Sequence, residues 1–313
     1  MNRRFASSSL LALAASLGFA LASPNAFAET PKTIGLAVAN LQADFFNQIK
    51  QSVVAYAKTK GVNVITVDAK GDAATQVNQI QDLLTRKIDA LIYIPAGATA
   101  AGVPVRAAKS AGVPVIAVDR NAPDAPGDTF IATDSVKAAE ELGDWIVKQT
   151  GGHATVAELQ GQLGTTPELA REKGFTAAIS KAPGIKVVAR QPAEWAQDKG
   201  FAVAQDMLQK NPDINVIFGH ADAMALGAAQ AVKIANVGHK VLIAGFDGDT
   251  AGLKAVRDGV IAVTMTQQTQ LMGRMAVDSA LDLLAGKKIP AEQLLPATLT
   301  TKANVGPFIA NHP

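Results

Sequence analysis

The stretch TIGLAVANLQADFFNQIKQSVVAYAKTKGVNVITVD, residues 33–68, carries the most information about the architecture. Thr33–Asn40 is a nearly continuous apolar run of strand length, and Asp44–Lys60 has the spacing of an amphipathic helix. Val62–Asp68 is again apolar, and Gly61 stands where a helix C-cap glycine belongs. A buried strand, a helix and a second buried strand predict a βαβ unit of a parallel sheet that is covered on both faces.

The same alternation continues from this unit almost to the end of the chain. Further strands are predicted at Ala90–Ile94, Val113–Asp119, Thr129–Thr133, Ala154–Gln160, Ile185–Gln191, Val216–Gly219, Val241–Phe246 and Ile261–Thr266, with helices between them such as Ala73–Arg86, Ala100–Ser110 and Pro167–Ser180. A break rich in Pro, Asp and Gly, Asn121–Gly127, separates two series of similar size. The sequence therefore predicts an α/β protein of two doubly wound, Rossmann-like lobes.

Residues 1–28 have the organisation of a secretory signal peptide. Arg3 and Arg4 precede an apolar run, Leu10–Ala22, and Ala26-Phe27-Ala28 is a small-x-small cleavage pattern. The apolar run is shorter than the roughly 20 residues that a membrane-spanning helix needs. We expect export and cleavage after Ala28; the alternative is an uncleaved N-terminal anchor.

Composition excludes several classes of function. Cleavage leaves 285 of the 313 residues, with 27 basic and 27 acidic side chains, so the mature chain is about neutral and has no electrostatic footprint for nucleic acid. The chain has no cysteine, and its four histidines show no zinc-type spacing. No GxSxG elbow, P-loop or GxGxxG motif appears, which argues against an enzyme. We expect neither a metal nor a cofactor.

Polar and aromatic residues recur directly after the predicted strands, where ligands of parallel sheets bind. They are Gln42, Asp44, Phe45, Phe46, Asp119, Arg120, Arg171, Trp195, His220, Asp222, Asp247 and Gln267. Carboxylates accept from hydroxyls, guanidinium groups and amides donate to them, and aromatic rings fit the C–H faces of a sugar. The set predicts a site for a small sugar or polyol.

Each of these residues also has a simpler interpretation. Asp119 and Arg120 could form only an ion pair at a strand end, and the two phenylalanines could belong to the core. Trp195 could cover a loop, Asp247 could shape a turn with Gly248, and Arg171 could be a solvated helix residue.

Several segments resemble the ribose-type periplasmic sugar-binding proteins, the substrate-binding subunits of bacterial ABC importers. The segments are DFF (44–46), PVIAVDR (114–120), ELQGQLGTTPELAREKGF (158–175), DAMALGA (222–228), GFDG (245–248) and TQQ (266–268). The resemblance implies the type I periplasmic binding protein fold, with three hinge crossings and closure on the ligand. The lobes are then expected at 31–133 plus about 268–295, and at 134–267 plus about 296–313.

The resemblance also implies roles for individual residues. Phe45, Phe46 and Trp195 match aromatics that sandwich the sugar ring, and Asp119, Arg120, Arg171, Asp247 and Gln267 match polar partners of its hydroxyls. Ala43, Ile94 and Ala221 stand where the ribose proteins have asparagine, which argues against ribose as the preferred ligand. Gln42, Asp44 and His220 are candidates to replace the lost partners.

The expected partners are a neutral sugar or polyol and an inner-membrane ABC permease, with the protein acting as a monomer in the periplasm. A second role as ligand carrier for a chemoreceptor is an alternative. A sugar-responsive repressor shares the lobes but has a helix-turn-helix at its N-terminus, where this chain has the signal-peptide pattern.

Overall fold

The computed structural model describes Met1 and residues 31–313, so the expected signal peptide and its cleavage site lie outside the described residues. The described residues form twelve strands and ten helices. The first elements are β1 (Thr33–Val38), α1 (Asp44–Thr59), β2 (Asn63–Asp68), α2 (Ala73–Thr85), β3 (Ala90–Tyr93), α3 (Gly102–Ser110), β4 (Val115–Val118) and β5 (Thr129–Thr133). Then follow α4 (Ser135–Gln149), β6 (His153–Gln160), α5 (Thr166–Ile179), β7 (Gly184–Pro192), α6 (Gln197–Lys210), β8 (Val216–Gly219) and α7 (Asp222–Ala235). The last are β9 (Leu242–Ala244), α8 (Thr250–Asp258), β10 (Val263–Thr266), α9 (Thr269–Leu284), β11 (Glu292–Leu295), β12 (Thr298–Thr301) and α10 (Gly306–Ala310).

The strands form two six-stranded sheets with matching topology. Their orders are β11-β5-β4-β3-β1-β2 in the first sheet and β12-β10-β9-β8-β6-β7 in the second. In each sheet the order reverses beside the first strand of the series, so ligand-binding residues are expected at the carboxyl ends there. The predicted two-lobed α/β fold is confirmed.

Helices cover both faces of each sheet. In the first half, α1 and α9 pack together on one face, and α2 and α3 lie on the other. In the second half, α4 pairs with α5 and α6 with α7 on opposite faces. Strand residues such as Ile34, Leu36 and Phe218 are fully buried, because both faces of the parallel sheets are inside.

The chain crosses between the halves three times. It leaves β5 of the first sheet for α4, which packs on β10 and β12, and it leaves β10 for α9, which packs on β3, β4 and β5. The third crossing is the short link between β11 and β12. Asp134 N donates to Leu295 O at 2.8 Å, and the Thr133 hydroxyl donates to Gln267 Oε1 at 2.6 Å. These bonds join the three crossings into one hinge region.

Three sequence expectations need correction. The strands β11 and β12 were not predicted, because each has four residues, lies at a sheet edge and is only partly buried. The second sheet is also not purely parallel, since β12 runs antiparallel to β10. In addition, the strands predicted at Val113–Asp119 and Val241–Phe246 are shorter. The first ends at Val118, because Asp119 has a φ of +60° and leaves the extended conformation, and the second ends at Ala244 although the apolar Phe246 follows. No helix among the described residues has the length and hydropathy of a membrane span.

Close helix packing depends on glycine at position 174. A Cβ atom there would lie 2.0 Å from Val136 O and 3.0 Å from Glu140 N, both backbone atoms of α4. We expect Gly174→Ala to lower the free energy of unfolding by about 2–3 kcal/mol, because α5 must move away from α4. Helix propensity alone would instead raise it by up to about 1 kcal/mol. The urea midpoint of the ligand-free protein measures the difference.

Gly306→Ala is the matched control, because a Cβ at Gly306 meets nothing within 4 Å. Equal midpoints for the two variants would contradict the packing argument.

Candidate ligand-binding cavity

The carboxyl ends of both sheets face a cavity of about 570 Å³. Of the predicted binding residues, it is lined by Phe45, Phe46, Asp119, Arg120, Arg171, Trp195 and Asp247, and of the predicted specificity positions, by Gln42, Ala43, Asp44 and Ala221. Phe45 and Phe46 begin α1, whereas Asp119 follows β4 and Asp247 follows β9. The doubly wound topology therefore brings residues that lie more than 200 positions apart in sequence to one place.

Two guanidinium groups stack on the aromatic residues of the cavity. Arg120 lies 5.1 Å from the ring centroid of Phe46 and 5.5 Å from that of Trp195, which comes from the second half. Arg171 lies 5.3 Å from Trp195 on its own half. Phe45 and Phe46 contact edge to face at 5.4 Å. The aromatic and cationic residues thus form one continuous wall across the two halves.

Each guanidinium group is anchored by backbone and paired with a carboxylate. Arg120 Nη1 donates to Pro95 O at 3.1 Å, and Arg171 Nη1 donates to His220 O. Arg171 Nη1 also lies 3.2 Å from Asp247 Oδ1, while Arg120 Nε lies 3.7 Å from Asp119 Oδ2. Arg171 is only 2% exposed, so its interpretation as a solvated helix residue is wrong.

Buried donors of the wall keep unused hydrogen-bonding capacity. Within the described chain, Nε of Arg120, Nε of Arg171 and Nε1 of Trp195 are buried and have no hydrogen-bond partner. A buried donor without a partner costs about 1–3 kcal/mol.

Burial also changes the protonation of the two carboxyl groups. Burial raises the pKa of Asp119, and the charges of Arg120 and Arg171 act in the opposite direction. Burial raises the pKa of Asp247 to about 7, and Arg171 again opposes it. Both carboxyl groups are therefore held in an environment that disfavours their charged form.

Four residues that line the cavity stand on backbone that favours glycine. The φ angles are +60° at Asp119, +51° at Glu194, +67° at Trp195 and +121° at Asp247. Such conformations cost about 1–3 kcal/mol each and occur mainly at functional sites. At Asp247 the backbone still donates to Met265 O and accepts from Gln267 N, so the sheet ladder holds the strained residue in place.

Four predicted residues do not line the cavity. Asp222 is fully buried, and its carboxylate accepts from Gly248 N at 2.8 Å and from the Thr264 hydroxyl at 2.6 Å. Gln267 is fully buried behind Asp247, and its Nε2 donates to Asp247 Oδ1 at 2.8 Å. Ile94 is fully buried in the core of the first half. His220 is fully buried against Phe218, and burial lowers its pKa to about 3, so the ring is neutral. These residues contribute to the site only through their neighbours.

Other polar residues of the cavity were not predicted, among them Asn40, Gln162, Glu194, Gln197 and Asp249. Gln162 lies in the loop after β6, so the rule that selected the other residues could have found it. Asp249 caps α8 by accepting from Gly252 N at 2.6 Å, and this capping position was a usable signal. Among the described residues, no group of His, Asp and Glu has the arrangement of a metal site.

The two halves touch at the edge of the cavity. Asp44 Oδ2, at the start of α1, accepts from Thr250 N, at the start of α8, at 3.0 Å. Asn121 N of the first half donates to the Thr166 hydroxyl of the second half at 3.2 Å. The structure therefore shows a closed arrangement of the halves.

Known proteins resemble this chain in sequence and in fold. The ribose import binding protein of Bacillus subtilis is 36% identical over 270 residues, which cover 86% of this chain and 87% of that protein. The xylitol-binding protein of Mycolicibacterium smegmatis is 32% identical, with 88% of this chain and 78% of that protein covered. A solute-binding protein of an Actinobacillus succinogenes ABC transporter, solved with bound D-allose, superposes with a TM-score of 0.82 at 26% identity and covers 88% of this chain and 99% of that one.

Residues 34–288 match the periplasmic binding protein domain family. This match covers most of the chain. It runs from β1 to the end of α9, so β11 and β12 are the strands that lie outside it. Together with the identity to the relatives over nearly the same range, it shows that the chain belongs to the periplasmic binding protein family.

Proposed function

We propose that the mature chain is the periplasmic substrate-binding protein of an ABC sugar importer and binds one monosaccharide or related polyol in the cavity. The observation that carries this proposal is the cavity between the halves, which two arginine–carboxylate pairs line beside aromatic faces. Its relatives bind ribose, xylitol and allose, which are all neutral and rich in hydroxyl groups.

The two ion pairs of the wall favour a neutral ligand. Asp119 offsets Arg120, and Asp247 offsets Arg171, so these residues leave no net charge for a ligand to balance. The carboxylates accept from sugar hydroxyls, the arginines donate to them, and Phe46 and Trp195 pack against the apolar face of the ring. Hydrogen bonds to charged groups contribute about 1.5–3 kcal/mol each.

The ligand differs from ribose in this proposal. Ala43 and Ala221 line the cavity at positions where the ribose-type proteins have asparagine, so two amides are missing from the cavity wall. Gln42 and Asp44 lie on the same wall and are available as replacement partners. A ligand with fewer hydroxyls on that side, or with a different arrangement of them, fits this surface better.

Closure of the two lobes traps the ligand. We assign residues 31–133 and about 268–295 to one lobe and 134–267 and about 296–313 to the other, which agrees with the strand content of the two sheets. Contacts from both lobes to one ligand favour the closed state, because a ligand shifts an equilibrium by its differential affinity. An inner-membrane permease then recognises the closed monomer, and a chemoreceptor is the alternative partner. Cleavage after Ala28 delivers the chain to the periplasm.

Asp119→Ala should weaken binding at least about tenfold, because the sugar loses a charged acceptor while the fold is retained. Isothermal titration with the sugar that most raises the melting temperature in a thermal-shift screen measures this. Asp258→Ala, at an exposed position at the end of α8, is the control. Unchanged affinity in Asp119→Ala would remove the residue from the site.

Sugar binding should make the protein more compact and change the environment of Trp195. The chain has two tryptophans, and Trp145 packs on the core of the second half, so Trp145→Phe leaves Trp195 as the reporter. We expect a smaller radius of gyration in solution scattering and a shifted emission maximum on addition of the same sugar. Absence of compaction with every pentose, hexose and polyol tested would refute the proposed mechanism.

The buried carboxyl of Asp247 should make stability depend on pH. Its pKa is about 7 in the folded chain and about 3.9 in the unfolded chain, so the folded state binds the proton more tightly. Stability from this group is present at low pH and is lost as pH rises from about 4 to 7, by up to about 4 kcal/mol. The melting temperature of Asp247→Asn minus that of the wild type should therefore be larger at pH 8 than at pH 4.5. A constant difference would contradict the assignment.

A further inference from the structure

Gln76, on α2, is a buried side chain outside the cavity lining that holds the loop after β3. It is 1% exposed, and both ends of its amide contact the backbone of that loop. Nε2 donates to Ile94 O at 2.8 Å, and Oε1 accepts from Ala96 N at 2.7 Å. Because a carbonyl only accepts and a backbone N–H only donates, these partners determine the orientation of the amide. Gln76 therefore bridges the two residues on either side of Pro95.

The loop depends on this side chain because the sheet ends there. β3 ends one residue before Ile94, whose N–H still donates to Ala37 O of β1 at 2.9 Å. The next residue, Pro95, has no N–H to donate. Ala96 is only 4% exposed, so its N–H needs a partner within the protein, and Gln76 supplies it. A helix side chain thus replaces a neighbouring strand as the hydrogen-bonding partner of this loop.

The same loop anchors the guanidinium group of Arg120. Arg120 Nη1 donates to Pro95 O at 3.1 Å and to Ala96 O at 3.3 Å. The two accepting carbonyls therefore belong to the segment that Gln76 bridges. Arg120 is 5% exposed, and a buried cation is stable only while hydrogen bonds and an opposite charge replace its water. The position of the loop therefore determines the position of the guanidinium group.

The position of this group matters to the cavity because it contacts residues of both halves. It lies 5.1 Å from the ring of Phe46 and 5.5 Å from that of Trp195, and its Nε lies 3.7 Å from Asp119 Oδ2. Stacking and an ion pair of this length restrict direction weakly, whereas hydrogen bonds to carbonyls are directional. The two loop carbonyls are therefore the contacts that orient Arg120 in the cavity wall.

We propose that Gln76 is a positioning residue for ligand binding. It holds residues 94–96 so that their carbonyls orient Arg120 toward the sugar; this inference rests on the proposed function. The simpler interpretation is that Gln76 only stabilises the fold. A purely structural role lowers stability and leaves the affinity of the folded protein unchanged, whereas a positioning role lowers that affinity through Arg120.

A double-mutant cycle between Gln76 and Arg120 tests the inference. D-ribose, D-allose and xylitol are the probes, and the one that raises the melting temperature most is titrated calorimetrically. Gln76→Leu removes both amide hydrogen bonds, and we expect it to weaken binding at least about fivefold. In the background of Arg120→Met, which lacks the guanidinium group, the same change should weaken binding less than about twofold. Equal losses in both backgrounds would overturn the inference while leaving the proposed function intact.

Thr129→Val is the matched control, because the fully buried Thr129 also bonds to backbone in the same half. Its hydroxyl donates to Pro290 O at 2.8 Å, at the amino end of β5 and away from the cavity. It should lower the melting temperature and leave affinity within about twofold of the wild type. If Gln76→Leu does not fold, Gln76→Glu replaces it, because it keeps an acceptor for Ala96 N and loses the donor to Ile94 O. The same outcomes decide that cycle.

Spectra of the Arg120 side chain give a measurement that needs no ligand. The guanidinium group lies over the ring of Phe46 in the same half, so the proton shift of its Nε–H depends on its position relative to that ring. We expect this shift to change in Gln76→Leu and to stay at the wild-type value in Thr129→Val. If none of the three probes binds, the proposed function fails and these spectra alone decide the role of Gln76. An unchanged Arg120 resonance in the folded Gln76 variant would contradict the positioning role.

Discussion

A parallel strand that is covered on both faces can bring polar side chains to a ligand only at its ends, and this constraint determines where the site lies. Both sheets of this protein have helices on both faces, and their strand interiors are mostly apolar, with exceptions such as Glu158 in β6 and Thr264 in β10. Every charged residue of the cavity wall therefore sits in a loop after a strand or in the first turns of a helix. Because both sheets have the same topology, their carboxyl ends supply two complementary sets of side chains to one cavity.

Placing charged groups in this position has a cost in stability. The cavity carboxyls are buried, their pKa values are raised by burial, and Asp119 and Asp247 lie on backbone with positive φ. The backbone carbonyls that receive Arg120 and Arg171 hold the two guanidinium groups in place before any ligand arrives. Such preorganisation is typical of binding sites, where strain and desolvation are retained because they serve recognition.

Much of the fold could be predicted from the sequence, because apolar runs and helical spacing report burial directly. The βαβ unit at residues 33–68 has nearly the bounds expected for it. β11 and β12 escaped prediction because a short, half-exposed edge strand leaves no periodic pattern. For the cavity, strand ends identified Asp119, Arg171 and Asp247, but the same rule selected His220 and Gln267, which are fully buried and do not line it. Sequence position specifies which strand end a residue follows, whereas the side of the loop on which its side chain lies depends on tertiary packing.

The small residues Ala43 and Ala221 at the cavity edge allow the ligand specificity of this architecture to change. Ala43 precedes α1 and Ala221 precedes α7, so both stand at helix beginnings, where no ladder hydrogen bond depends on the side chain. The arginines and carboxylates, in contrast, are fixed by carbonyl groups and ion pairs deeper in the wall. Descendants of such a chain can acquire a new ligand by exchanging side chains at these two positions, while the charged framework and the hinge are inherited unchanged.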